Sequence, residues 1–96
     1  MRPIVKFVFQ WRIPYDFAMP TIMRIGPYRF FFYASDRDEP LHVHVERDTS
    51  VAKFWLAPVR LQHSIGLSRS ELVKVESLVA ENCDILSEAW NDFFTN

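Results

Sequence analysis

Leu41-His42-Val43-His44-Val45-Glu46, Arg47-Asp48-Thr49-Ser50 and Val51-Ala52-Lys53-Phe54-Trp55-Leu56 follow one another without a break, and their alternation decides the fold. Read as two strands around a four-residue loop, they set Glu46 opposite Val51, Val45 opposite Ala52, Val43 opposite Phe54 and Leu41 opposite Leu56. Side chains of a strand alternate between faces with a period of two. Leu41, Val43, Val45, Ala52, Phe54 and Leu56 therefore share one apolar face, while His42, His44, Glu46, Lys53 and Trp55 share the other. A slip of one residue would mix the two sets, so the pattern selects its own register.

Working outward, Tyr28 to Ala34 is ring-rich on both faces and reads as a central strand. Gly26-Pro27 is a turn signal that closes a shorter strand at Thr21 to Ile25. Val5, Phe7, Phe9, Trp11 and Ile13 alternate with Lys6, Gln10 and Arg12, a strand pattern, and Pro14 and Pro20 bound the connector that follows. Val59 to His63 reads as a short edge strand after Pro58. Ser68 with Glu71 three residues on is a capping box. From there Leu72, Val75, Val79, Leu86, Trp90 and Phe93 recur at helical spacing over about 25 residues, a helix of roughly 37 Å. The expected architecture is one α+β domain over residues 1–96, a small antiparallel sheet of 4–5 strands packed on one long C-terminal helix.

The composition sets further bounds. Charged residues make up 24% and the formal net charge is −1, so no global basic field draws in nucleic acid or an anionic membrane. The single cysteine, Cys83, forbids an intrachain disulfide, and no apolar stretch is long enough for a membrane span. A cytoplasmic protein is the expectation.

The polar face of the hairpin is where chemistry is expected. His42 and His44 have Cα atoms roughly 6.6 Å apart on one strand face, close enough for both imidazoles to reach one ion or one phosphate. Two imidazoles titrating near neutrality suit general acid and base work. Lys53 would hold a phosphate and repel a divalent ion, and Arg29 would join if its strand is adjacent. His42, His44, Lys53 and Arg29 are thus the candidate catalytic residues of a metal-independent phosphodiester site. The bland reading is a surface or interface patch, with His42, His44, Glu46, Lys53 and Trp55 as binding residues. No cofactor and no tightly held metal are expected, because the third ligand would be Glu46, about 13 Å along the strand from His42. Asp36, Asp38 and Glu39 read as a solvated acidic loop, His63 as a loop residue and Cys83 as a packing residue.

Several strings together resemble a known family: Met19-Pro20-Thr21-Ile22, Arg29-Phe30-Phe31-Phe32-Tyr33, Glu39-Pro40-Leu41-His42-Val43-His44-Val45, Ala52-Lys53-Phe54-Trp55-Leu56 and Glu88-Ala89-Trp90-Asn91. Over Met19 to Phe94 the chain resembles the bacterial domain of unknown function 4160, with Leu41 where that family usually has a second Pro. The resemblance implies a small prokaryotic protein encoded beside another short reading frame, in an arrangement like a toxin–antitoxin module. It implies no catalytic residue. The leading expectation is a partner-binding component of such a module, with a small protein from the neighbouring gene as partner. A ribonuclease using His42, His44 and Lys53 is the rival, and a zinc-binding domain a third reading. An RNA partner and a homo-oligomer stay open. Residues 1–18 lie outside the resemblance, and read either as a real extra strand or as codons upstream of a start at Met19.

Overall fold

The computed structural model describes residues 5–7 and 21–95. Its strands form one antiparallel sheet in sequence order: β1 (Val5–Phe7), β2 (Thr21–Ile25), β3 (Tyr28–Phe31), β4 (His42–Arg47), β5 (Ser50–Leu56) and β6 (Val59–Ile65). Five strands thus run from Thr21 to Ile65, and the three-residue β1 pairs on the edge of β2. The remainder of the expected strand to Ile13 and the connector after it lie outside the described residues.

Each connection is local, so each turn must suit a hairpin. Gly26 opens the β2–β3 turn at φ 56, a conformation that L side chains resist and that two-residue hairpins require. The β4–β5 hairpin has the register that its alternation predicts: His42 faces Trp55, Val43 faces Phe54, His44 faces Lys53 and Val45 faces Ala52. Its turn is tighter than expected, because Arg47 and Ser50 pair and only Asp48-Thr49 turn, with Asp48 at φ 55.

The inner face carries the core. Met23, Ile25, Tyr28, Phe30, Val43, Val45, Ala52, Phe54 and Leu56 are buried, and Val75, Val79, Leu86, Ala89, Trp90 and Phe94 close over them. β3 lies between β2 and β4, and Phe31, on its other face, is buried too. The central-strand reading holds, although β3 ends at Phe31 rather than Ala34.

The C-terminal segment is helical from Arg69 to Phe94 but bends once, giving α1 (Arg69–Glu81) and α2 (Cys83–Phe94). The cause is Asn82. Its side-chain amide donates to the Leu78 carbonyl at 2.8 Å while its own backbone N–H reaches the same oxygen at 3.2 Å. A side chain competing for the ladder acceptor bends a helix. Ser68 caps α1 by accepting from the Glu71 N–H at 3.2 Å. The reciprocal half of the capping box is replaced: the Glu71 carboxylate instead takes Arg47 Nη2 at 2.9 Å and the Tyr28 hydroxyl at 2.8 Å, tying α1 to the sheet. Among the described residues, no helix is long and apolar enough to cross a membrane.

Candidate functional site

β3 and β4 are paired neighbours, so residues 32–41 must cross the end of the sheet where β4 begins. They do so through a 3-10 turn, Ala34–Asp38. Asp36 folds inward there, and its Oδ2 accepts the Tyr33 N–H at 2.8 Å. Asp36 is 5% exposed, which corrects the expectation of a solvated side chain there, whereas Asp38 and Glu39 of the same loop are exposed as expected. Its carboxylate lies against the two histidines: Oδ2 is 3.0 Å from His44 Nε2 and 3.1 Å from His42 Nε2.

The histidines differ in environment although they share a face. His42 is fully buried, with its ring 5.8 Å from Trp55, 5.0 Å from Trp90 and 5.0 Å from His44. The expectation that both histidines sit on a half-exposed patch therefore fails for His42. The physical reason is its position at the strand end, where the turn and Trp90 of α2 close over it. His44 is half-buried, stacked on Phe31 at 5.3 Å and edge-on to Tyr33 at 4.7 Å. Burial pushes the His44 imidazole below its ordinary pKa, against the opposing pull of the Asp36 carboxylate.

His42 Nδ1 lies 2.8 Å from the Pro40 carbonyl oxygen. A carbonyl only accepts, so Nδ1 carries the hydrogen. Nε2 then faces Asp36 at 3.1 Å without hydrogen-bond geometry, and it is a buried nitrogen with no hydrogen-bond partner. In the tautomer that donates from Nδ1 alone, a nitrogen lone pair stands against a carboxylate oxygen.

The other candidates are occupied elsewhere. Lys53 is ion-paired with Glu39 and lies 4.9 Å over the Trp55 ring. Arg29 does stand on the strand next to β4, yet its guanidinium is 3.3 Å from Glu46, donates to Thr21 Oγ1 at 2.7 Å and covers Phe31 at 4.3 Å. Glu46, expected as the third ligand of any metal, belongs to that pair. The third ligand atom beside the histidines comes from Asp36: one donor atom each from Asp36, His42 and His44 lie within 4.8 Å of one another. Two imidazole nitrogens and one carboxylate oxygen are a donor set that suits zinc and its neighbours.

Comparison with known proteins agrees with the resemblance. A family model described as Domain of unknown function (DUF4160) matches residues 28–91, most of the chain. The chain belongs to this family. The DUF4160 match is narrower at both ends than Met19 to Phe94, but it runs from β3 into α2 and contains Asp36, His42, His44, Trp55 and Trp90. No curated protein and no solved structure matches the chain.

Proposed function

We propose that the protein is a partner-binding component of a small bacterial two-gene module of the toxin–antitoxin kind, and that its partner docks along β6. The two-gene setting is what the family resemblance implies, and one observation supports the docking site. β6 is seven residues long, ends the sheet among the described residues and leaves Ile65 64% exposed. A free strand edge offers unpaired N–H and C=O groups to an incoming strand, and an exposed apolar residue beside it supplies burial. Trp55 and Lys53 lie one strand back, opposite Arg60 and His63 of β6. This keeps part of the outer face within a partner's reach, whereas His42 is not.

The rival phosphodiester reading has less support. A general acid and base must both touch substrate, and His42 is enclosed. Lys53 and Arg29, assigned to the phosphate, are each paired with a glutamate. The test is co-purification with the product of the neighbouring gene, together with growth of cells carrying each gene alone. Ile65→Asp should weaken the complex at least about tenfold, as a desolvated charge does at an interface, while melting stays near that of the parent. A complex indifferent to both Ile65→Asp and Trp55→Ala would remove β6 and the outer face as the docking site.

A further inference from the structure

We infer that Asp36, His42 and His44 form a binding site for one divalent first-row transition ion of the zinc class. This goes beyond the partner-binding reading and does not depend on it. Three observations converge. The first is the donor geometry. In a tetrahedral zinc site with bonds near 2.0–2.1 Å, neighbouring donors are about 3.3 Å apart. Asp36 Oδ2 is 3.1 Å from His42 Nε2 and 3.0 Å from His44 Nε2, and the three donor atoms lie within 4.8 Å of one another, so side-chain rotation can bring all three onto one ion.

The second is the buried, unpartnered His42 Nε2. With Nδ1–H given to Pro40, the free lone pair points into the cluster, and a cation between it and the carboxylate turns a repulsion into two bonds. A ligating histidine that donates its other nitrogen to a backbone carbonyl is the usual way a protein fixes the tautomer. The third is the support behind the carboxylate. The Tyr33 N–H holds Asp36 Oδ2 at 2.8 Å, orienting the ligand before any ion arrives. The ammonium of Lys53, which would repel a dication, is neutralised by Glu39. On binding, the ion takes the place of the hydrogen that His44 Nε2 gives to Asp36, and the ring takes up a hydrogen at Nδ1 by exchange with solvent, so the imidazole stays neutral with no net proton released. Magnesium and calcium prefer oxygen donors, so the site should discriminate against both.

The experiment uses the untagged full-length protein, stripped with a chelator and titrated with cobalt(II). The expected result is one saturable site with the visible spectrum of a low-symmetry cobalt ion, displaced by zinc and not by millimolar magnesium or calcium. Asp36→Asn, which keeps the side-chain shape, and His44→Ala, which alters the less buried of the two histidines, should each weaken binding by at least about tenfold. Exposed His63, replaced in His63→Ala, should leave it unchanged. Circular dichroism establishes that each variant is folded. Absence of a saturable site in the folded parent overturns the inference. So does parent-like binding by both Asp36→Asn and His44→Ala, or loss of binding in His63→Ala.

Discussion

The two faces of the β4–β5 hairpin are built from the same two strands but are held by different physics. On the inner face Val43, Val45, Ala52, Phe54 and Leu56 are buried against the helices, and burial of apolar surface has no direction to satisfy. On the outer face the end around His42 is closed just as fully, but by oriented contacts: a carbonyl on one ring nitrogen, a carboxylate facing the other, and tryptophan edges around them. Alternation alone writes the first face. The second needs residues from a turn and from α2, and it is the face where a missing partner atom is felt.

The largest effect should come from the inner face. Phe54→Ala removes a fully buried ring and should destabilise by about 3–5 kcal/mol in urea unfolding, with Val43→Ala costing about 1–3 kcal/mol. A Phe54→Ala loss below 1 kcal/mol would break the contrast between the faces. On the outer face Asp36→Ala leaves the Tyr33 N–H and the His44 nitrogen without their acceptor, and should cost about 1–3 kcal/mol in metal-free protein. Asp36→Asn should cost less than Asp36→Ala, because the amide oxygen can still accept from the Tyr33 N–H and from His44 Nε2–H. Equal losses in the two variants would show that direction does not matter there.

The turn end of the same hairpin supplies a pH test. The Arg47 guanidinium, with the Tyr28 hydroxyl behind it, holds the Glu71 carboxyl below its ordinary pKa. A carboxyl with a lower folded than unfolded pKa stabilises the fold fully above the unfolded value, and that stabilisation is lost as pH falls through the folded one. Glu71→Gln should therefore flatten the acid limb of the Tm–pH profile and leave its shape near neutrality unchanged. The smallest effect belongs to exposed His63, where His63→Ala should stay within about 0.5 kcal/mol.

The hairpin register was legible because both strands alternate strictly and only one pairing keeps their apolar sets together. The inner core and the Ser68 cap were legible for similar reasons of period and spacing. Asp36 was not, since a loop has no period and its burial arises only when the chain closes over the sheet end. A signal did exist: two paired strands force their connector to sit beside the first residue of β4, which is His42. The bend at Asn82 was hidden because apolar spacing runs straight through it from Val79 to Leu86. The Glu71 carboxylate was misassigned to its own helix because Arg47 and Tyr28, its actual partners, are distant in sequence.

The state of the His42 ring tests the directional character of the outer face most directly, and 15N NMR of the imidazoles reads it. The expected spectrum has His42 protonated at Nδ1 and bare at Nε2, and added zinc shifts the Nε2 resonances of His42 and His44 together while His63 stays in place. A His42 protonated at Nε2, with neither Nε2 resonance moving on zinc addition, would contradict it.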